Sequence, residues 1–329
     1  MTMGRRFSWH AVQQLTLVGL LVVVAVVFTV MTEGFAQVDN LRNILLDASP
    51  TIIGAVAMTF VIVTRGIDLS IGSVANFALA AAVMLAGTKS AVSITTDTSW
   101  LVYPVALICG LGLGLVNGLI ITRLQVNPLI TTLGTLTLYR GLGLHLTSAS
   151  LYSVEGPIQA LGRGQFLGLG LPVYLALGAA GLGAFVLART VAGRQLLALG
   201  GSPRSADETG IRTARLLLVV YALAGLSGAL AGLIIVGRVG VLTSELGYGF
   251  EFTVITAVVL GGTSLFGGRG SIIGSVIGAL LLTTIQNGLN LLGADPYIYD
   301  VVRGLILMLA VTMDTVTSRL SERRLYRGV

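Results

Sequence analysis

Long apolar runs, separated by short polar stretches rich in Gly and Arg, set the pattern of this chain. A helix crossing about 30 Å of hydrocarbon needs roughly 20 mostly apolar residues. By that measure ten segments stand out, at residues 12–31, 44–64, 69–86, 101–122, 128–147, 171–188, 216–236, 252–261, 271–292 and 297–316. The eighth is too short to span as a regular helix; it reads as a half-helix or as part of a longer broken one. The third opens in a Gly-rich turn. The expected fold is an all-α integral membrane protein of about ten transmembrane helices, some broken or short. No polar, Pro-rich or low-complexity linker divides the chain, so one transmembrane domain over residues 1–329 is expected. Arg5 and Arg6 before the first run give it the outline of a signal peptide. It is long enough to span, however, and no small-residue cleavage site closes it, so it reads as a retained helix.

Composition supports the membrane reading. The chain is 54% hydrophobic and only 10% charged, where a soluble domain carries about a quarter charged residues. The net charge of +6 is almost wholly arginine. These arginines do not cluster on a polar segment with interleaved aromatics, so nucleic acid is not an expected partner. Their placement follows topology instead. With the N-terminus in the cytoplasm and alternating spans, fourteen of the twenty Lys and Arg residues fall inside, and Arg42, Lys89, Arg163 and Arg238 outside. Arg140 and Arg303 lie within spans. Positive charge is retained inside during insertion, so both termini are expected to be cytoplasmic in a multi-pass inner-membrane protein. Cys109 is the sole cysteine, and His10 and His145 lie far apart. Neither a disulfide nor a metal site is expected, nor any cofactor.

Small residues recur at helix-packing spacing: Gly110, Gly114 and Gly118; Gly270, Gly274 and Gly278; Gly228 and Gly232. Such stripes let helix backbones approach in lipid. They serve either packing within one bundle or a moving or dimer interface. Gly72-Ser73-Val74 and Gly274-Ser275-Val276 form a faint internal echo, too short to establish a repeat.

A phosphate-cradling loop needs Gly-Lys-Ser/Thr after a glycine-rich stretch. The only lysine, Lys89, follows Thr88, so ATP, if it powers this protein, binds another chain. The longest interior cytoplasmic segment, about 189–215, holds helix-forming residues, a Gly-Gly-Ser-Pro break and then SADETGI. A short helix near 205–209 is expected there, with Ser205 as cap, Glu208 at capping-box distance and Gly210 at its end. Gly200 and Gly201 would let the chain turn sharply before it, and Asp207 and Glu208 would point outward. The segment is either a solvated connector or a docking element for a cytoplasmic partner. Within the spans, Asn76, Asn117, Gln286, Asn287 and Asn290 carry amides that must find partners in protein or in a wet cavity. They are either interhelical ties or groups lining a path for a polar solute. Asp68 is expected to cap the helix starting near Leu69. Arg140 and Arg303 are expected to snorkel to the outer interface, with Asp300 three residues from Arg303 as a local partner.

Several blocks resemble one family. GIDLSIGSV at 66–74 and VNPLITTLGTLTLYRGLGL at 126–144 look like hallmarks of the ribose-type sugar permeases of ABC importers. GRQLLALGGSPRSADETGI at 193–211 is similar to the loop by which those permeases contact their ATPase. AVVLGGTSLFGGRGSIIGSVIGALLL at 257–282 and QNGLNLLG at 286–293 complete the match in family order. The chain departs from the family loop at Ser202-Pro203-Arg204 and Ala206-Asp207, where an Asn and paired alanines are usual. The resemblance implies a type II-like permease bundle that carries a monosaccharide or polyol. Its implied partners are a cytoplasmic ABC ATPase, a periplasmic sugar-binding protein, a second permease chain, identical or homologous, and membrane lipid. It also implies that Gly193, Gly200, Gly201, Ser205, Asp207, Glu208 and Gly210 belong to the ATPase-coupling loop. Two other classes stand against this reading. An ion-coupled secondary transporter would want a carboxylate deep in a span, and a membrane-embedded enzyme would need a nucleophile, base or metal cluster.

Overall fold

The computed structural model describes residues 9–89 and 95–327. In chain order the helices are α1 (Trp9–Met31), α2 (Val38–Val63), α3 (Ile71–Ala86), α4 (Val102–Arg123), α5 (Pro128–Thr147), α6 (Ile158–Arg163), α7 (Leu171–Arg189), α8 (Val191–Gly201), α9 (Pro203–Glu208), α10 (Thr213–Val239), α11 (Phe250–Leu260), α12 (Ile272–Leu291) and α13 (Pro296–Arg327). All ten expected segments are helical. Seven of these helices (α1, α2, α4, α7, α10, α12 and α13) are long and apolar enough to cross a membrane. α5 has 20 residues, but its threonines, glycines, Arg140 and His145 dilute its apolar character. α3 has 16 residues and α11 only 11, about 24 and 16 Å at 1.5 Å per residue. α11 is therefore the half-helix anticipated from the eighth apolar run.

The all-α expectation needs one amendment. Among the described residues six short strands lie toward one end of the bundle: β1 (Gly87–Lys89), β2 (Thr95–Thr98), β3 (Tyr152–Glu155), β4 (Gln165–Phe166), β5 (Leu169–Gly170) and β6 (Val241–Leu242). Four form a sheet in the order β1-β2-β3-β6, with β2 and β3 parallel and the other pairs antiparallel. β4 and β5 make a separate hairpin. The sheet ties the connections after α3, α5 and α10 together at this strand end; α8 and α9 lie at the other.

α2 is the central element. Every residue from Ala48 to Val63 is buried, against α10, α12, α7 and α11. α1 and α13 are peripheral and expose Leu15, Val22, Val30, Val301, Leu305 and Met308. In water such faces would be a liability; in a bilayer lipid covers them. The three glycine stripes lie between helices inside the bundle. Gly110 and Gly114 press against α10, where an added Cβ on Gly110 would sit 2.7 Å from the Gly225 carbonyl. Gly274 and Gly278 meet the carbonyls of Gly261 and Ala257, and Gly228 meets that of Ile71. Close packing within the chain accounts for them without a dimer contact. The Gly-Ser-Val echo falls in the first turns of α3 and α12.

The break between α2 and α3 differs from expectation. Asp68 does not cap a helix at Leu69. Its Oδ1 accepts the Ser70 amide at 2.8 Å and the Ser70 hydroxyl at 2.6 Å, closing a turn ahead of α3. Asp68 is fully buried. Burial pushes its carboxyl up from the ordinary range, and the two Ser70 hydrogen bonds oppose that shift.

Candidate functional site: a polar vestibule and an exposed helical elbow

Pro50 sits inside α2. It lacks the amide that would serve the Leu46 carbonyl four residues earlier, so the helix is weakened locally. Beside this point, in the half of the bundle nearer the strands, lies a cavity of about 650 Å³. α2 contributes Asp47 and Thr51; α10 contributes Arg238; α12 contributes Thr283, Gln286, Asn287 and Asn290; α13 contributes Tyr299, Asp300 and Arg303. Its remaining wall is the chain before and at the start of α11, with Glu245, Gly247, Tyr248 and Thr253. Gly247 and Gly249 hold left-handed φ values of 72° and 71°, which glycine adopts without steric cost. They let the chain bend into the start of the half-helix.

Four of the five charged side chains in this cavity are paired with one another, and Glu245 has no ion-pair partner among the described residues. Arg238 pairs with Asp47 at 2.6 Å. Arg303 pairs with Asp300 at 2.9 Å, and also donates to the Gly249 carbonyl at 3.0 Å and the Thr253 hydroxyl at 2.8 Å. With its side chain only 14% exposed, Arg303 faces the bundle interior rather than snorkelling to an interface. The local partner Asp300 is as expected. The Arg140 guanidinium lies 5.4 Å from the centroid of the exposed Tyr248 ring. Glu251, 5% exposed, projects from the first turn of α11 toward Gly72 of α3.

The five span amides fall into two groups. Gln286, Asn287 and Asn290 line the cavity together, and Asn287 exchanges paired amide hydrogen bonds of 3.0 Å with Asn40 of α2. Asn117 is fully buried elsewhere. It donates to the Ser70 hydroxyl at 2.8 Å and accepts from the Tyr139 hydroxyl at 3.2 Å. Asn76 is buried between α3 and the chain before α11, donating to the Ser244 carbonyl at 3.4 Å. These two are ties between elements. Sequence reading passed over Asp47, Glu245 and Tyr248 and placed Arg238 in an outer loop, whereas Arg238 lies in the last turn of α10. For Asp47 a signal existed, a carboxylate and a proline within one apolar run. Its partner Arg238 comes from a distant helix, and nothing local announces the pair.

At the opposite end the segment around 189–215 folds as an elbow. Thr190 caps α8 by accepting the Gly193 amide at 3.1 Å. Gly193 packs on the carbonyls of Val186 and Leu187 where α7 turns into α8. Leu196 and Leu199 are buried. Gly200 and Gly201 are the last residues of α8 rather than a sharp turn. Gly200 is needed for close approach, because a Cβ there would strike the Val63 carbonyl. The cap of α9 is Ser202, which accepts from the Ser205 amide at 3.3 Å, so Ser205 is inside the helix. Glu208 makes no capping box; it pairs with Arg204 at 3.1 Å. Asp207 accepts from the Thr213 hydroxyl at 2.8 Å. Gly210, with φ of 78°, follows the helix end as expected. Within α9 only Ala206 is buried, so nearly the whole helix is open to a partner. Among the described residues no group of three or more His, Cys, Asp or Glu is arranged to hold a metal.

Residues 40–311 match the family model described as branched-chain amino acid transport system / permease component. The chain is 38% identical to the ribose import permease protein RbsC of Escherichia coli strain K12 over 319 residues, which is 94% of this chain and 97% of that protein. It is 37% identical to RbsC of Bacillus subtilis strain 168 over 301 residues, 90% of each chain. The L-arabinose transport system permease protein AraH of Escherichia coli strain K12 is 36% identical over 301 residues, 90% of this chain and 89% of that one. No solved structure matches significantly. The apolar helices, the polar vestibule and a match spanning most of the sequence agree: this chain is a multi-pass membrane protein of the branched-chain amino acid transport system / permease component family.

Proposed function

We propose that this chain is the translocation subunit of an ABC importer, carrying a monosaccharide or related polyol through the vestibule beside Pro50. The observation that carries the reading is the vestibule lining, three uncharged amides and two charge pairs. A zwitterionic amino acid would need an unmatched cation for its carboxylate, and both lining arginines are already paired; a polyhydroxylated solute needs amide donors and acceptors. The relatives named for ribose and L-arabinose point the same way. The same relatives also favour this reading over an ion-coupled secondary transporter, and Asp47 beside Pro50 is paired with Arg238.

In this reading residues 1–329 form one transmembrane domain, and all ten apolar helices cross or enter the bilayer, α3 and α11 as short elements. The strand end faces the periplasm and receives a sugar-binding protein. The elbow of α8 and α9 is cytoplasmic, as are both termini, and docks a separate ABC ATPase, the site of ATP hydrolysis. Gly193, Gly200, Gly201, Ser205, Asp207, Glu208 and Gly210 shape or present that elbow. A second permease chain completes the pore within the lipid. The test is uptake of labelled ribose and arabinose by proteoliposomes holding the permease, its ATPase and its binding protein. Uptake should require ATP and survive a protonophore. Uptake driven by an ion gradient without ATP contradicts the proposal.

A further inference from the structure

We infer that Arg65 is the positioning residue through which movement of the α8–α9 elbow reaches the helices around the vestibule. The inference rests on the elbow being the ATPase dock. α2 ends in a closed turn, with the Gly66 amide bonded to the Val61 carbonyl at 3.0 Å and the Arg65 amide to the Ile62 carbonyl at 2.9 Å. The residue after the cap in such a turn adopts a left-handed backbone and is usually glycine. Here it is Arg65, with φ of 66°, a conformation unfavourable for a residue bearing a Cβ. A strained residue persists where its surroundings hold it, and such strain points to function.

The side chain supplies what glycine would not. Its Nε donates to the Gly200 carbonyl at 2.6 Å and a terminal nitrogen to the Gly201 carbonyl at 2.7 Å. These are the last carbonyls of α8, which no amide further along that helix serves, and a cation there is favoured by the helix dipole. Arg65 thus joins the end of α2 to the end of α8 by two charge-assisted bonds. The loop before α12 joins the same point: the Gly268 amide donates to the Val63 carbonyl at 2.9 Å. That loop is held in turn by α13, where Asp314 accepts the Leu265 amide at 3.0 Å. The end of α8 is therefore fastened to α2 and, through the Val63 carbonyl and the loop before α12, to α12 and α13, all of which line the vestibule. Coupling between sites is carried by hydrogen-bonded chains and rigid elements of this kind. A displacement of α8 either carries α2 with it or breaks both arginine bonds.

The test uses the complete importer in proteoliposomes with R65G, R65N and R65K. Gly and Asn suit the left-handed backbone, so R65G and R65N remove the guanidinium while keeping the turn. The docking control is D207K/E208K. R65G and R65N should retain ATPase co-purification and hydrolysis, while solute delivered per ATP falls about tenfold, within the range expected for altered coupling. R65K, which keeps the charge, should recover part of the ratio; a merely structural residue would not split hydrolysis from uptake. The control should lose the ATPase. A wild-type solute-to-ATP ratio in R65G and R65N overturns the inference. So does loss of the ATPase in them, which makes Arg65 part of the dock, or failure of both to assemble, which assigns it to folding. A control that keeps both ATPase and uptake overturns the docking reading itself, and this inference with it.

Discussion

Replacing Arg303 by Met removes a cation whose side chain is 14% exposed and which holds three groups at once: Asp300, the Gly249 carbonyl and the Thr253 hydroxyl. The charge-assisted hydrogen bonds to the last two are worth about 1.5–3 kcal/mol each. Asp300 is half exposed and regains water, so the low end for those two bonds together, about 3 kcal/mol, applies. Each kcal/mol lowers Tm by about 2 °C toward the large end of the size range, so R303M should melt about 6 °C below the wild type. R303K keeps the charge but not the fork, and should lose about half as much. Cys109, the sole cysteine, permits a melt in detergent read by a fluorogenic thiol dye at one scan rate. An arginine snorkelling at an interface would give a shift near zero, since exposed pairs contribute about 0–1 kcal/mol. A shift below about 1 °C in R303M would refute the inward assignment and the anchoring of α11 by α13.

Two further outcomes follow from the same reasoning. Asn117→Leu deprives Ser70 and Tyr139 of their buried partner; a loss of about 1–2 kcal/mol is expected, read as a Tm drop with the solute KM unchanged. Gly210→Val meets open space but must hold φ of 78°, a strain of about 1–2 kcal/mol; it should insert normally yet retain less ATPase on co-purification at matched expression.

The helices were legible because each apolar run is long enough to form one, seven of them of membrane-crossing length and composition, while the run at 252–261 yields a helix of only 11 residues. α5 has the expected bounds, with Asn127 capping it through the Leu129 amide at 2.9 Å and Ser148 closing it in a left-handed turn. The small sheet was not legible, since its strands are two to four residues long and carry too few residues for an alternation. The cap of α9 was placed three residues late because Ser202 and Ser205 both suit it, and only the position of Pro203 at the helix start separates them. Gln286, Asn287 and Asn290 were visible as amides in a span. That Asn76 and Asn117 tie helices instead depends on which neighbours pack against them. The inward turn of Arg303 depends likewise on α11 and α13 meeting. Its neighbour Asp300, three residues away on the same helix, could be read locally.

The rate of ATP-driven uptake by Q286A/N290A measures most directly whether the amide-lined vestibule is the solute path. The two side chains line the cavity and are exposed, so their loss removes solute contacts without opening the core. With ATPase co-purification and Tm unchanged, uptake at low solute should fall about tenfold or more, each lost hydrogen bond to solute contributing about 0.5–1.5 kcal/mol. Wild-type uptake from the double variant would contradict the account.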